Sequence, residues 1–504
     1  MNNLLKIIGE IDTQLHDNFE KKTKQHSGYY LYTLPEYKKE LLIQLESYRG
    51  KTFGLKTQFD TAVDLYIQSK ISFHYIPEIN KNITHFNSLI HIVQKSQEWL
   101  DERANLIAAS EAGYLLGIKG VQTMINYIYG KLGLPSKMEA LRHQPSIIHG
   151  NLYEDVTRMI YESRNKVIVK EYGLIKSLKK PLFAASPDGV VIGSTINDLT
   201  RIGRLVEIKN PFTYDPSNTI KDEYKIQIMQ QQYALGIPIC DFVKTNIIAP
   251  MISKTTENLG YKPYNNVQQM LNDRLPGIAN ANLTADGGEK GVIINYTNNI
   301  TGDLNIAIYP LESEYNLEAI NKWILETKNK FIANGADPKK IVTQCWYLAH
   351  YSQQTIVYDE KLFEEYYIPR LELVWEIIKY CRTIKEKYGK DKINEFLENQ
   401  LRNTLNTYQS RNNNYFKNVE NHIGICELLK SCFKLDIDNY GNKAKNKLKY
   451  NKSRNKVNKD DNDTTEFNET TYDNDNKNTV KLVKTAKCGK DVKVSNKIMI
   501  IYDF

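Results

Sequence analysis

One nine-residue stretch constrains the fold of this 504-residue chain more than any other part of it. Arg204–Phe212 reads Arg-Leu-Val-Glu-Ile-Lys-Asn-Pro-Phe, in which polar and apolar side chains alternate. Alternate side chains of an extended strand share a face. One face would therefore carry Leu205, Glu207 and Lys209, and the other would carry Val206 and Ile208. The pattern predicts a sheet strand with one face for chemistry and one for the core.

A second strand is predicted just upstream of this one. Asp188 precedes the apolar run Val190–Ile192, and the loop that follows it would return the chain beside Arg204–Asn210. Two carboxylates and an ammonium would then meet at one end of a sheet, which suits Mg²⁺, an ion that takes one or two carboxylates and leaves its other positions to water and phosphate. The same spacing is also typical of a surface salt bridge on a hairpin, so the surroundings have to decide.

Helices are predicted on both sides of these strands. From His149 onward the apolar residues fall at helical spacing and form a stripe that faces a core: Leu152, Val156, Met159 and Ile160. Glu154 lies opposite that stripe, either on a solvated face or directed at the strand carboxylates. A second helix, over Tyr224–Leu235, carries Gln227 and Gln231 four residues apart on one face, a spacing that is also typical of a plain polar surface.

Together these elements resemble the lambda-exonuclease or YqaJ-type viral recombinase branch of the PD-(D/E)XK nuclease superfamily. The family opens with a Gln-x-Ser-x-Glu-Trp element, an Arg and an Ala-Ser, matched here by Gln94, Ser96, Glu98, Trp99, Arg103, Ala109 and Ser110. Its later elements match Tyr153-Glu154, Ser186-Pro187-Asp188-Gly189, Glu207-x-Lys209-x-Pro211-Phe212 and the glutamine-bearing helix. Two positions depart from the pattern: Ala108 stands where Thr is common, and Met229 interrupts the usual Gln-x-Gln run.

The resemblance implies a role for each matched polar residue. The implied catalytic set is Asp188, Glu207, Lys209, Glu154 and Gln227. The implied ligands of Mg²⁺, or of Mn²⁺, in a two-ion site are Asp188, Glu207, Glu154 and the backbone carbonyl of Ile208. Lys209 would lie beside the attacking water and stabilise the charge that develops in the transition state. Gln227 would orient Lys209 or that water, and Gln231 is a secondary candidate.

The resemblance also implies a site for the end of a DNA strand. Arg103 and Ser110 occupy the positions at which exonucleases of the family hold the 5′ phosphate of the strand being degraded. Ser110 is predicted to be the N-cap of a helix over Glu111–Gly117, and a helix start offers free amide groups to an anion. A capped helix beside a surface arginine is the alternative, and it stays open.

The implied fold is α/β, with a mixed central sheet flanked by helices as in restriction endonucleases. The predicted organisation is an N-terminal helical extension (1–93), the exonuclease core (94–385), a C-terminal helical region (386–435), a disordered charged linker (436–482) and a short tail (483–504). Helical spacing in the extension predicts helices over Glu36–Tyr48, Gln58–Ser69 and Ile83–Glu98. The linker joins a basic block to an acidic block with few apolar residues, a composition that cannot offset its ordering entropy.

The later part of the core is predicted to contain more sheet. Gly291–Tyr296 and Leu304–Tyr309 would form a hairpin, followed by a helix over Asn316–Asn334, a strand over Thr343–Tyr358 and a helical segment to about Lys385. The aromatic residues of that long strand, Trp346, Tyr347 and Tyr351, could contact DNA or belong to the core.

Composition excludes some classes of protein. No charge-free apolar run approaches the ~20 residues that cross a bilayer, and the start of the chain lacks a signal-peptide pattern, so a soluble, non-secreted protein without membrane contact is expected, in host cytoplasm or nucleus if viral. The six cysteines are scattered without a Cys-x-x-Cys pair, which argues against structural zinc and disulfides. A net charge of +8 agrees with a polyanionic partner. The abundant Asn, Lys, Ile and Tyr are typical of an AT-rich genome such as that of a large DNA virus.

The function predicted from the sequence is a Mg²⁺-dependent deoxyribonuclease that acts as a 5′ to 3′ exonuclease on linear duplex DNA in viral recombination or replication. Metal-assisted hydrolysis follows from the residues, whereas direction and substrate follow from the resemblance. A homo-oligomer and a single-strand annealing protein are the implied partners besides double-stranded DNA. Two alternatives stay open: a structure-specific or nicking endonuclease on the same core, and a noncatalytic DNA-binding recombination scaffold.

Overall fold

The computed structural model describes residues 2–23, 28–46, 56–89, 96–135, 144–213, 217, 219–275, 277, 282–298 and 304–403, with two short strands further on. Those strands, Asn468–Thr471 and Lys481–Lys484, pair in antiparallel fashion. They fall in or at the edge of the segment predicted to be disordered, where Thr, Leu and Val interrupt the charged sequence. The rest of that linker, the tail and Gln94 lie outside the described residues.

Two sheets organise the described part of the chain. The strands are β1 Ile107–Ala108, β2 Val167–Lys170, β3 Ile175–Lys176, β4 Phe183–Ala185, β5 Gly189–Ser194, β6 Leu205–Lys209, β7 Ile239–Ile248, β8 Lys290–Thr297, β9 Leu304–Ile308 and β10 Val342–Val357. The larger sheet has the order β2-β5-β6-β7-β10-β8-β9, and the smaller one has the order β1-β4-β3. In the larger sheet β6 and β7 pair in parallel and the other neighbours are antiparallel. The predicted mixed α/β fold is confirmed.

Helices cover the sheets. They are α1 Asn2–Thr23, α2 Pro35–Glu46, α3 Lys56–Lys70, α4 Ile76–Ser88, α5 Gln97–Ala104, α6 Ala109–Leu115, α7 Val121–Lys131, α8 Pro145–Asn165, α9 Asp222–Leu235, α10 Lys254–Asn258, α11 Val267–Asn272, α12 Leu317–Ala333, α13 Glu360–Leu362 and α14 Ile368–Glu395. Short 3-10 turns span Tyr29–Thr33, Leu199–Arg201 and Pro338–Lys340, and π-helical turns span Ile71–Tyr75, Phe363–Tyr367 and Phe396–Leu401. Within the described residues, no helix is long and apolar enough to cross a lipid bilayer.

The hairpin predicted to carry the polar residues forms as expected. Strands β5 and β6 pair through Gly189 with Val206 and through Val190 with Leu205. Gly189 has to lack a side chain, because a Cβ there would lie 2.2 Å from Cγ1 of Val169 on the neighbouring strand β2. The register places Asp188, just before β5, beside the end of β6 that carries the other polar residues.

The two faces of β6 bury different side chains. Val206 and Ile208 pack with the apolar stripe of α8, whereas Leu205 packs on the opposite face with residues of the N-terminal helices. That opposite face is therefore apolar at its start and polar only from Glu207 onward. The side chains of β6 alternate between the two faces as predicted, but both faces of the strand contribute to the hydrophobic core.

The N-terminal helices pack directly against the nuclease sheet. Ile8, Leu41 and Ile79 share one buried cluster with Val190 and Leu205 of the central hairpin. The helix predicted over residues 83–98 is wrong, because α4 ends at Ser88 and α5 begins at Gln97 with Ser96 as its N-cap. The proposed domain boundary near residue 93 falls between these two helices and stays a prediction.

The second half of the sheet follows the predicted order of elements. The hairpin β8–β9, the helix α12 and the long strand β10 lie within one or two residues of their predicted bounds. Trp346 is fully buried and Tyr351 nearly so, so that both belong to the core, and only Tyr347 of the three aromatic residues is partly exposed. The proposed boundary at residue 385 falls inside α14, a helix that runs on to Glu395 past a non-helical Gly389.

Candidate active site

The centre of the site is Glu207, a fully buried carboxylate on β6. Its Oε1 atom accepts hydrogen bonds from Lys209 Nζ and, at 2.6 Å, from Gln227 Nε2. Its Oε2 atom accepts one from Gln231 Nε2 at 2.6 Å. A carboxylate offers about four lone-pair positions, so these three donors leave room for one more partner. The strand and α9 thus hold a buried negative charge in one fixed orientation.

Lys209 lies two residues along the same face of β6. Burial opposes its charged form, but Glu207 and Asp188 outweigh that effect and raise the pKa of the Lys209 ammonium above its usual value. The side chain therefore stays protonated at neutral pH. It can supply positive charge to an anion, but it cannot accept a proton as a general base.

Asp188 sits where β5 begins, and its Oδ2 atom accepts a hydrogen bond from the Ile208 backbone N–H at 2.7 Å. Burial, followed by the negative charges of Glu207 and Glu154, raises the pKa of the Asp188 carboxyl well above its usual value. Asp188 therefore lies close enough to Glu207 and Glu154 for their charges to act on its carboxyl group. Carboxylates crowded in this way commonly mark a functional site or the place of a cation.

The donor set at this place fits a hard divalent cation. Asp188 and Glu207 offer carboxylate oxygens from adjacent strands, and Mg²⁺ needs only one or two of these besides water and phosphate. No group of three or more His, Cys, Asp or Glu side chains in the described ranges is arranged to hold a metal ion by itself. The roles of Glu154 and of the Ile208 carbonyl as further ligands stay predictions.

Two glutamines of α9 face the site. Gln227 and Gln231 both donate to Glu207, so the structure places Gln227 on this carboxylate, whereas its predicted partner was Lys209 or water. Gln231, the secondary candidate, is fully buried and makes an equally short contact. The spacing of four residues indicated that the two glutamines share a helix face, but the sequence did not indicate that both contact Glu207.

Arg103 and Ser110 are brought together, as the resemblance implied. Arg103 NH2 donates to Ser110 Oγ at 3.0 Å, and the guanidinium lies over the Trp99 ring, 4.3 Å from its centroid. Ser110 is not the N-cap, because α6 already begins at Ala109. The Glu111 carboxylate accepts the Ala108 N–H instead, so the helix starts earlier than predicted.

Two residues that support Arg103 were missed in the sequence. Glu111 accepts a hydrogen bond from Arg103 at 2.8 Å, and Lys131 forms an ion pair with the other oxygen of Glu111 at 2.7 Å. Lys131 also donates to the Leu106 carbonyl at 2.8 Å and to the carbonyl of Arg103. Glu111 three residues after the cap position was a visible capping signal. Nothing near Lys131 in the sequence indicated its partner.

Comparison with known proteins agrees with this arrangement of residues. Residues 98–236 match the model of the YqaJ-like viral recombinase domain. The match includes Arg103, Asp188, Glu207 and Gln227 but covers less than a third of the chain. The predicted family is confirmed for this part of the protein.

One relative and two solved structures extend the comparison. The chain is 26% identical over 347 residues to a protein of Acanthamoeba polyphaga mimivirus, a match that covers 64% of this chain and 59% of that relative. An alkaline exonuclease from Laribacter hongkongensis is 27% identical with a TM-score of 0.25, over 30% of this chain and 74% of that one. The structure of that enzyme in complex with dAMP is 26% identical with a TM-score of 0.23, and the match again covers 30% of this chain and 74% of that one. TM-scores of this size do not establish a common fold, so the assignment rests on the domain match.

Proposed function

We propose that this protein is a metal-dependent deoxyribonuclease that degrades linear duplex DNA from its 5′ ends. The observation that carries the proposal is the convergence of Asp188, Glu207 and Lys209 on one end of a β-hairpin inside a YqaJ-like viral recombinase domain. The similar alkaline exonuclease supplies the name of the activity, and the match to a viral recombinase domain suggests a role in recombination or replication. The mimivirus relative suggests a large DNA virus as the source.

Each residue of the site has a task in this reaction. Asp188, Glu207, Glu154 and the Ile208 carbonyl would hold Mg²⁺ or Mn²⁺, in one or two ions. When bound, the metal would polarise the phosphate and lower the pKa of a water molecule. Lys209, kept protonated by its acidic neighbours, would stabilise the negative charge that builds up on the phosphate oxygens. Gln227 and Gln231 would hold the Glu207 carboxylate in place.

Ends and internal sites are distinguished by comparing linear duplex DNA with covalently closed circular DNA in Mg²⁺. An exonuclease releases nucleotides from the linear form and leaves the circle intact. Conversion of the circle to nicked or linear DNA would support the competing proposal, an endonuclease on the same core. Release of nothing from either form, in Mg²⁺ and in Mn²⁺, would support a noncatalytic DNA-binding scaffold.

Replacement of Gln231 by methionine is expected to weaken metal binding and nucleotide release by about ten- to a hundredfold, the usual effect of losing a group that orients a ligand. The reason is that Oε2 of buried Glu207 loses its donor. Metal affinity is measured by calorimetry with Mn²⁺. Gln232→Met is the matched control, since the Gln232 amide donates to the Pro238 and Ile356 carbonyls and not to Glu207. Equal metal affinities in the two variants would contradict the role of Gln231.

Replacement of Arg103 by alanine is expected to slow digestion of 5′-phosphorylated ends about tenfold or more, while 5′-hydroxyl ends are little affected. A hydrogen bond to a charged group contributes about 1.5–3 kcal/mol, and a 5′-hydroxyl end offers Arg103 no negatively charged acceptor. The measurement is the ratio of initial rates on the two kinds of end. Arg402→Ala, which removes an ion pair with Glu398, is the control for loss of positive charge. Equal slowing on both ends would count against the anchor.

The wider assignments follow from this proposal. Double-stranded DNA is the expected partner, and a homo-oligomer and a single-strand annealing protein are the further partners to test by light scattering and by pull-down. The chain spans 59% of the length of its mimivirus relative, so these assignments concern this chain alone. A soluble protein that is not secreted fits the proposed nuclease function.

A further inference from the structure

Three tyrosines form a row beside the candidate active site: Tyr127 on α7, Tyr114 on α6 and Tyr224 on α9. The rings of Tyr114 and Tyr127 are stacked, with centroids 4.7 Å apart and planes 8° from parallel. All three side chains are partly exposed. Tyr127 and Tyr224 also pack against buried clusters, so the row lies at the edge of the core with part of each side chain open to solvent.

A close helix crossing produces this row. Gly113 of α6 lies against Glu223 of α9, and a Cβ on the glycine would be 3.0 Å from the Glu223 Cα atom. The next residue of each helix is a tyrosine, so the crossing sets Tyr114 near Tyr224. Lys119, just after α6, forms an ion pair with Glu223 at 2.6 Å and so lies at the same crossing.

The row has the catalytic lysine at one end and the arginine of the predicted phosphate site at the other. Lys209 Nζ lies 5.2 Å from the centroid of the Tyr224 ring. Burial raises the pKa of Tyr114, and Glu223 adds to this, whereas Lys119 and Lys209 act in the opposite direction. Burial also raises the pKa of Tyr127, as do Tyr114 and Glu111, while Arg103 opposes them. Lys131, one helical turn after Tyr127 on α7, donates to the Arg103 carbonyl, so Tyr127 lies at the Arg103 end of the row.

We propose that Tyr114 and Tyr127, with Lys119 beside them, bind the sugar and base of the 5′-terminal nucleotide of the strand being degraded. The inference rests on the proposed function, because it places this nucleotide between an end anchor at Arg103 and bond cleavage at Lys209. Aromatic faces stack on any base, since every base has a π-face, and so suit an enzyme without sequence preference. The platform would hold one nucleotide in register while its far linkage is cut.

The test measures binding without cleavage. A 5′-phosphorylated, fluorescently labelled single-stranded oligonucleotide is titrated with the full chain in EDTA, and the Kd is read from anisotropy. Tyr114→Leu and Tyr127→Leu are each expected to raise the Kd about fivefold or more, as loss of a stacked base does elsewhere. Tyr114→Phe and Tyr127→Phe keep the rings and should bind nearly as the wild type does. Tyr29→Leu is the matched control, because it removes a stacked, exposed ring over His74 in the N-terminal region.

A second measurement does not depend on how the leucine variants fold. The wild-type chain is photocrosslinked to oligonucleotides that carry 5-bromodeoxyuridine at the 5′-terminal position or at the tenth position from that end. Adducts on peptides with Tyr114 or Tyr127 are expected from the terminal position only. Unchanged Kd values in both leucine variants, or adducts confined to other peptides, would overturn the inference and leave the nuclease assignment standing. A wild-type chain that neither binds nor cleaves DNA would overturn both.

Discussion

Replacement of Asp188 by asparagine is expected to reduce nucleotide release from linear DNA by at least about a hundredfold, since loss of a direct ligand should exceed the effect of losing a residue that only orients one. The amide can still accept the Ile208 N–H, so the local backbone should keep its conformation. The change removes one negative charge from the cluster that would bind the metal. The measurement is acid-soluble nucleotide released per minute in Mg²⁺.

The same variant should be more stable than the wild type when no metal is present. The folded-state pKa of Asp188 is raised, so its contribution to stability is complete below its ordinary value of 3.8 and is lost as the pH rises through the raised pKa. Asparagine has no charge to lose. The thermal midpoint of Asp188→Asn in EDTA should therefore exceed that of the wild type at neutral pH, and the two should converge in acid.

Metal should reverse this order. At a concentration a hundred times its Kd, a bound ion stabilises a protein by about 2.7 kcal/mol, and the variant should gain far less. Asp198→Asn is the matched control, because Asp198 caps the short turn in the loop of the same hairpin through Thr200. Full activity in Asp188→Asn, or an equal response to metal in both variants, would remove Asp188 from the mechanism.

The sequence predicted the centre of the site because that centre is local. Asp188 and Glu207 belong to one hairpin, and a period of two with a turn between the strands is enough to bring them together. The glutamines of α9 were visible as a pair at helical spacing, yet their contact with Glu207 depends on how the helix crosses the sheet. Packing of that kind involves residues distant in sequence and leaves no periodic signal.

The errors in the predicted fold have more than one origin. The helix expected over residues 83–98 breaks at Ser88, and apolar spacing alone could not show that Ser96 caps a new helix. Ser110 was predicted to be the N-cap, but α6 begins at Ala109, and Glu111 accepts the free backbone N–H of Ala108. Trp346 was predicted either to contact DNA or to belong to the core, and it is buried in the cluster that contains the apolar stripe of α8. The first two outcomes were set by local caps between residues three apart, and the third was set by tertiary contacts.

One buried carboxylate outside the site connects the sheet to the N-terminal helices. Asp241 on β7 is fully buried and accepts hydrogen bonds from Arg204 at 3.0 Å and Arg201 at 2.9 Å. It also accepts bonds from the hydroxyl groups of Thr355 and Tyr161. Arg204, itself buried, donates to the carbonyl of Thr33 in the N-terminal region at 2.7 Å. The charge of Asp241 is thus what allows a buried arginine to hold that region to the sheet.

Replacement of Asp241 by asparagine is expected to cost about 3–5 kcal/mol of unfolding free energy, the usual effect of leaving a buried charge without its partner. The amide would also direct N–H groups at neighbours that are themselves donors. Asp64→Asn breaks an exposed pair with Lys38 and should cost about 1 kcal/mol or less. Both values come from urea unfolding followed by circular dichroism.

The pH dependence of that loss identifies its cause. Burial alone would raise the pKa of Asp241, but Arg204 and Arg201 outweigh it and hold the pKa below its ordinary value of 3.8. The stabilisation from the charged carboxylate is therefore complete above that value and is lost as the pH falls through the lower folded-state pKa. The difference in unfolding free energy between the wild type and Asp241→Asn should be large at pH values near neutrality and should decrease in strong acid. If this difference is small at neutral pH, or is the same at all pH values, then packing and not charge holds the N-terminal helices to the sheet.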